Sequence, residues 1–307
     1  MSSCIQLEGI NGSNPLGFLA ALGTLGLIST VRPDVRLSWQ IGEGAWRPVI
    51  YGCDITQNEL LDILCDILGK VSLCPFMVAD RLPFPVSTFQ TALKIAQQEV
   101  FLRNRRSADL LVALGDENYP EKELLQETSL RMVRSGDSKG QGLLTYAFFI
   151  RATVTREELL RTLFSCWDYT DNGYSLRWDP IEDQSYALRA DDPSKAQDKN
   201  APRIMNGANA LALEGMKFFP VFCVGRKAHT TGFGMEEKRN WFSWPIWDGR
   251  LNLDVIRSLV SFASLQGSKP NNMERQRWQS MSIVMVFRSE IVRPNQYYSN
   301  FSPAYPA

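Results

Sequence analysis

The sequence contains one histidine, His229, among its 307 residues, and this scarcity excludes several kinds of active site. A Ser-His-Asp or Cys-His centre would have to use that single imidazole, and sites built on paired histidines lack a second ligand. The sequence also lacks a G-x-x-x-x-G-K-[ST] loop, and its glycine-bearing runs do not have the spacing of a dinucleotide-binding turn. We therefore predict no metal or nucleotide cofactor.

Cysteine pairs and long apolar runs are missing as well. The six cysteines form no C-x-x-C motif and no four-ligand zinc spacing, so we expect reduced thiols. The longest apolar stretch, residues 15–31, is shorter than the roughly 20 residues needed to span a bilayer. The start of the chain lacks the basic residues of a secretory signal, because the first one is Arg32. These features predict a cytoplasmic protein without a membrane segment.

The chain carries no net charge, since 33 basic residues balance 33 acidic ones. This balance excludes a protein that coats nucleic acid through net charge, but it allows a local basic groove. A content of 44% apolar and 21% charged residues is typical of a globular chain and excludes a disordered tail or a coiled-coil rod.

Helical and strand patterns alternate without a βαβ rhythm, which predicts an α+β fold of mixed helices and short, mainly antiparallel strands. Asn14 and Pro15 predict the start of a buried helix, whose three glycines favour close packing over a ligand contact. The length predicts an N-terminal α+β domain over 1–140 and a C-terminal α+β domain over 141–307, with the boundary at the 136–142 loop. A single domain is the alternative.

Polar residues crowd the stretch 168–209, which is too long for a simple connection inside a compact domain. Trp178 and Tyr186 offer flat faces there for base stacking, and the nearby cations and amides suit phosphates. The candidate nucleic-acid-binding residues of the chain are Arg103, Arg105, Arg106, Arg189, Lys195, Lys199, Arg203, Asn206, Asn209, Arg226, Lys227 and His229.

Structural interpretations of the same residues stay open. The acidic residues Asp179, Glu182, Asp183, Asp191 and Asp192 could pair with the cations and order the stretch as a salt-linked network. The arginines between 103 and 106 could complement the negative end of the preceding helix. The three tryptophans between 241 and 247 favour a core or a hairpin over base stacking.

Six blocks of the chain resemble a family of CRISPR-associated proteins from type I-G loci, formerly called type I-U. The blocks are NPLGFLAALGTL (14–25), RSADLLVALG (106–115), RWDPIEDQSYALRADDPS (177–194), GANALALEGMKFFPV (207–221), TTGF (230–233) and FSWPIWDGRLNLDVIRSLV (242–260). Members of this family are described as an extension of the helicase-nuclease, and the opening block is also loosely similar to the large subunit of the same loci. Ala210 departs from the family, which commonly has an arginine after Gly-Ala-Asn.

The resemblance implies a non-catalytic subunit or accessory of an RNA-guided antiviral complex. Its partners would be other effector subunits or the helicase-nuclease, together with guide RNA or target DNA.

Two alternatives to this function remain. Glu236, Glu237 and Lys238 could form half of a magnesium-dependent nuclease site with Asp191 or Asp192.

The second alternative is a protein-only scaffold. Whatever the function, we expect the aromatic tail (295–307) and the 241–247 region to face partner proteins, unless the tail folds back onto its own domain.

Overall fold

The fold is built around one apolar helix, α1 (Pro15–Ile28), all 14 residues of which are buried. As predicted, the Asn14 side chain caps it by accepting hydrogen bonds from the backbone N–H groups of Leu16 and Gly17, at 2.8 and 3.4 Å. The computed structural model describes residues 4–52, 54–70, 75–102, 104–118, 123–132, 142–182, 203–225, 227–236, 239–267, 270–293 and 299–307.

The predicted close packing of α1 is confirmed. The helix lies against a second buried helix, α7 (Asn206–Gly215). A Cβ atom on Gly23 would lie 1.8 Å from the carbonyl oxygen of Leu211, and one on Gly215 would lie 2.2 Å from that of Leu19. The two backbones can therefore meet only because glycine occupies both positions.

Five helices lie between α1 and α7 in the described parts of the chain. They are α2 (Gln57–Gly69), α3 (Val86–Phe101), α4 (Arg106–Leu114), α5 (Leu143–Thr153) and α6 (Arg156–Phe164). The N-terminus of α6 is held by Thr155 and Glu158, which satisfy each other's backbone N–H groups as a capping box. Near the C-terminus follow α8 (Leu253–Val260) and α9 (Asn272–Ser280). Asn252 caps α8 through the backbone N–H of Val255.

The strand pairs among the described residues are all antiparallel. The first sheet has the order β1-β3-β2 and consists of β1 (Cys4–Gln6), β2 (Arg36–Gly42) and β3 (Ala45–Tyr51). Three two-stranded pairs follow: β4 (Gly115–Asp116) with β5 (Gln126–Glu127), β6 (Asp171–Asn172) with β7 (Arg203–Ile204), and β8 (Val221–Val224) with β9 (Lys227–Thr230). The last sheet contains β10 (Phe233–Glu236), β11 (Arg239–Trp247), β12 (Ile283–Val292), β13 (Asn300–Phe301) and β14 (Tyr305–Pro306).

An aromatic cluster joins α1 to both larger sheets. The ring of Phe18 lies 5.8 Å from that of Trp39 on β2, and 6.0 and 6.3 Å from those of Trp244 and Trp247 on β11. The indole N–H of Trp244 donates to the carbonyl of Gly12 at 2.8 Å. Buried side chains from both predicted domains thus belong to one hydrophobic cluster. The predicted boundary at 136–142 lies outside the described residues, apart from Gly142.

The described part of the tail corrects the expectation of a protein-facing surface. Phe301 is 2% exposed and stacks on Phe242 at 5.6 Å, because β13 and β14 both pair with β12. Trp241, Trp244 and Trp247 are also buried, so the 241–247 region forms core and presents no tryptophan to a partner. Within the described ranges, none of the helices combines the length and the apolar character needed to cross a membrane.

Candidate functional site

Those predicted nucleic-acid-binding residues that the structure describes do not converge on one surface. Arg103, Arg189, Lys195, Lys199 and Arg226 lie outside the described residues. Arg203 lies on β7, and the other six fall into three places. Arg105 and Arg106 are at the start of α4, Asn206 and Asn209 are on α7, and Lys227 and His229 are on β9.

Arg106 points into the protein and helps to hold α4 against α7. Its guanidinium forms a bidentate ion pair with Glu214, at 2.8 and 2.6 Å, and that carboxylate is fully buried. Glu214 also accepts a hydrogen bond from Arg151 of α5, whose side chain is fully buried. The Arg106 side chain is only 10% exposed, so it is not part of a surface that nucleic acid could contact.

The asparagines of α7 belong to a buried polar cluster. Asn209 donates from its amide nitrogen to Glu182 at 2.9 Å, and Asn206 donates to Glu158 at 3.1 Å. Ser175 donates to the second oxygen of Glu182 at 2.6 Å. Asn206 and Asn209 are 4% and 0% exposed, so their side chains support the α7 N-terminus from inside the fold.

A second buried carboxylate, Asp179, lies beside Glu182 and ties three chain segments together. It accepts hydrogen bonds from the Tyr169 hydroxyl at 2.9 Å and from the Asn14 amide at 3.0 Å. The pKa of Glu182 is raised to about 8 by burial and by the neighbouring Asp179. Burial also raises the pKa of Asp179, and it raises that of Tyr169. Asp179 and Glu182 thus accept hydrogen bonds from uncharged side chains. These contacts are not the ion pairs that a salt-linked network would require.

Trp178 corrects another expectation, because it does not offer a face for base stacking. Its ring is fully buried, and its indole N–H donates to the carbonyl of Leu130 at 2.8 Å. Tyr186, the second predicted stacking residue, lies outside the described residues.

Lys227 and His229 lie together on the solvent-facing side of the β8–β9 hairpin. The pairing places Phe222 opposite His229 and Val224 opposite Lys227, so the four side chains share one face. We call these four residues the hairpin face. The rings of Phe222 and His229 stack at 5.9 Å with an interplanar angle of 22°, while Phe222 remains 46% exposed and Val224 59% exposed.

The opposite side of the same hairpin fixes it to the body of the protein. Val221 and Thr230 are buried, and the backbone N–H of Cys223 donates to Asp116 at 2.7 Å. The hydroxyl of Thr230 accepts a hydrogen bond from the backbone N–H of Ser129 at 2.8 Å. The hairpin face is therefore presented by an anchored element, with an aromatic pair beside a lysine.

Sequence reasoning misses Phe222, because the apolar run FFPVFCV has the pattern of a fully buried strand. The alternation of side chains along a strand could have identified it, because neighbouring residues face opposite sides and Val221 is buried.

Lys217 was missed as well, although it is the one charged residue in the apolar run GMKFFPV. It is 6% exposed and lines a pocket together with Arg105 and Arg257. Burial is the main cause that lowers the pKa of Lys217 to about 7, and the neighbouring charges of Arg106 and Arg257 lower it further.

The candidate nuclease residues are mostly outside the described part of the chain. Glu236 ends β10 at the surface, whereas Glu237, Lys238, Asp191 and Asp192 are not among the described residues. In the ranges that are described, no three His, Cys, Asp or Glu side chains come together as a group that could hold a metal ion. No model of a known protein family matches the chain, and no protein of curated function matches it significantly.

Proposed function

We propose that this protein is a non-catalytic, nucleic-acid-binding subunit of an RNA-guided type I CRISPR complex, in which the hairpin face contacts a single-stranded segment. The observation that carries the proposal is the stack of the exposed Phe222 ring on the half-buried His229, beside Lys227. Aromatic rings stack on bases of any sequence, and a lysine next to them neutralises a backbone phosphate.

A neutral protein suits this role because the guide RNA, and not the protein, reads the target sequence. The subunit needs only local backbone contacts, and the rest of its surface is available to other subunits. The family resemblance supports the assignment to a type I-G complex. Two blocks that carry it, NPLGFLAALGTL and GANALALEGMKFFPV, form most of α1 and α7, whose backbones pack directly together.

Nucleic-acid binding is tested by fluorescence anisotropy with labelled single-stranded RNA and DNA. We expect Phe222→Ala to weaken binding by about 1–3 kcal/mol, the range for one stacked base. Lys227→Ala should reduce the slope of log affinity against log salt by about 0.7, which corresponds to one lost single-strand phosphate contact. Unchanged affinity and slope in both variants would rule out the hairpin face.

Matched controls come from exposed residues elsewhere. Ile41, which is 71% exposed on β2, is the control for the apolar truncation, and Lys70, which is 57% exposed at the end of α2, is the control for the lost charge. Ile41→Ala and Lys70→Ala should both bind like the wild type.

Membership of the complex is tested separately, by co-expression with the other type I-G subunits and a guide RNA. We expect the chain to co-elute with the assembled complex in size-exclusion chromatography, and its elution as a separate species would contradict the assignment. Incubation of the isolated protein with labelled nucleic acid and Mg²⁺ tests the non-catalytic role. Cleavage that is lost in Glu236→Ala would overturn it.

A further inference from the structure

A pocket of about 380 Å³ opens between α4, α8 and the turn that follows α7. Arg105 and Asp109 of α4, Lys217 of the turn and Arg257 of α8 line it, together with apolar side chains that include Val112 and Pro220. The pocket is separate from the hairpin face and does not depend on the proposed function.

Positive charge exceeds negative charge around the pocket. Asp109 accepts from both Arg105 and Arg257, and Glu214 accepts from both Arg106 and Arg151. Arg257 also has Asp254 at 3.7 Å, but that carboxylate is 87% exposed and therefore largely screened by water. Asp109 and Glu214 are thus each shared between two guanidinium groups, and the described residues around the pocket supply no further buried acid for a fifth cation.

Lys217 is that fifth cation. Its side chain lies across Gly26 of α1, where a Cβ atom would come within 2.4 Å of Nζ. Although the residue is only 6% exposed, its ammonium group makes no hydrogen bond or ion pair within the described parts of the chain. A buried ammonium group without an anionic partner is strongly unfavourable. Lys217 is one of the residues that line the pocket, and an anionic partner can be placed there.

We propose that this pocket binds a tetrahedral oxyanion of the phosphate class, held by the Lys217 ammonium group and the guanidinium groups of Arg105 and Arg257. Arginine presents N–H groups in a planar fork that matches two oxygens of such an anion, and lysine adds a point charge. The phosphate group can be inorganic phosphate or the terminal phosphate of a nucleic acid, because both present the same oxygens.

The test is isothermal titration calorimetry of the full chain with sodium sulfate, in a buffer free of other oxyanions. Sulfate does not titrate between pH 6 and 9, so any change in affinity reports on the protein. We expect Lys217→Met to weaken sulfate binding at pH 6 by about tenfold or more, the usual effect of a lost charge-assisted hydrogen bond. Lys70→Met, which removes an exposed lysine at the end of α2, should bind sulfate like the wild type.

Arg105→Gln is the second variant, because the Arg105 side chain is 67% exposed and its loss cannot unfold the protein through burial. We expect it to weaken sulfate binding as well. The proposal is overturned when the wild type binds no sulfate, or when Lys217→Met and Arg105→Gln both bind it as tightly as the wild type.

A pH series separates the ammonium group from the guanidinium groups. The pKa of Lys217 is lowered to about 7, so the unliganded protein must take up a proton to bind the anion above that pH. Affinity should then fall by up to about tenfold per pH unit between pH 7 and 9 in the wild type and in Arg105→Gln. Lys217→Met should show no such fall, and an equal fall in that variant would contradict the role of Lys217. The charged groups around Lys217 are Arg105, Arg106, Asp109, Arg151, Glu214, Asp254 and Arg257.

The source of the phosphate is identified by competition against sulfate. A short oligonucleotide with a 5′-phosphate is compared with the same oligonucleotide carrying a 5′-hydroxyl, and with inorganic phosphate alone. Displacement by the 5′-phosphorylated oligonucleotide but not by its hydroxyl form supports a nucleic-acid terminus. Displacement by inorganic phosphate but by neither oligonucleotide supports a small free anion. Variants of the hairpin face that no longer bind nucleic acid would leave both of these outcomes unchanged.

Discussion

Replacing Lys217 by methionine should stabilise the protein, and by an amount that depends on pH. Lys217 is buried and makes no hydrogen bond or ion pair in the described structure, so the substitution removes a charge without breaking a contact. Methionine has a similar length and an unbranched, adaptable side chain, which suits the space over Gly26.

The magnitude follows from the pKa of Lys217, which is lowered from 10.5 to about 7 in the folded protein. Because the folded pKa lies below the unfolded one, the penalty for burying the amine is complete below pH 7. It disappears as the pH rises from 7 towards 10.5. A difference of this size corresponds to about 5 kcal/mol at full effect. We therefore expect the free energy of unfolding of Lys217→Met to be higher than that of the wild type by up to about 5 kcal/mol at pH 6. At pH 9 the difference should be about 2 kcal/mol.

Urea unfolding followed by tryptophan fluorescence at pH 6, 7.5 and 9 measures these differences, in a buffer without phosphate or sulfate. The slope of free energy against urea must stay constant between variants for the comparison to hold. A variant that is less stable than the wild type, or whose advantage is the same at pH 6 and pH 9, would refute the reasoning. Lys70→Met should show no dependence of this kind, since Lys70 is exposed.

Three further predictions concern the core, the buried carboxylates and the tail. Gly23→Ala should lower the free energy of unfolding by about 3 kcal/mol or more, because its Cβ would lie 1.8 Å from a carbonyl oxygen of α7. Gly69 has open space around it, so Gly69→Ala should stay within about 1 kcal/mol of the wild type; urea unfolding measures both. Glu182→Gln should gain stability over the wild type as the pH rises from 4.5 to 8, since the raised pKa of Glu182 makes its ionisation destabilising; an advantage that shrinks with pH would contradict this. Phe301→Ala should lower the free energy of unfolding by about 3–5 kcal/mol, because a buried ring is lost. Tyr305→Ala removes a ring that is 41% exposed and should lower it by less. Equal losses in thermal unfolding would argue against the docked tail.

Local signals in the sequence predicted the elements of the fold well. Asn14 is recognisable as a cap because its side chain contacts backbone within three residues, and Thr155 and Asn252 cap their helices in the same local way. The α+β class also follows from patterns of this range. Such predictions succeed since the partners of each group lie next to it along the chain.

The candidate sites were harder to predict because their partners are distant in sequence. Arg106 was expected at a phosphate, yet its carboxylate partner is 108 residues away. Asn209 is predicted to contact nucleic acid, but in the fold its side chain is buried and donates to Glu182. Lys217 gains its unusual environment from α1, α4 and α8, and no local pattern contains that arrangement.

The position of α1 has a consequence for how the chain is made. The helix lies near the start of the sequence, whereas α7 and β11, which cover it, follow about 180 residues later or more. At typical rates of protein synthesis the ribosome needs about 10–40 s to reach them. During that time the side of α1 that packs against α7 and β11 lacks its native partners, and it is exposed to aggregation or to capture by a chaperone that binds nascent chains. Slowing synthesis should therefore lower the soluble yield of this protein, and a supply of holdase should restore it.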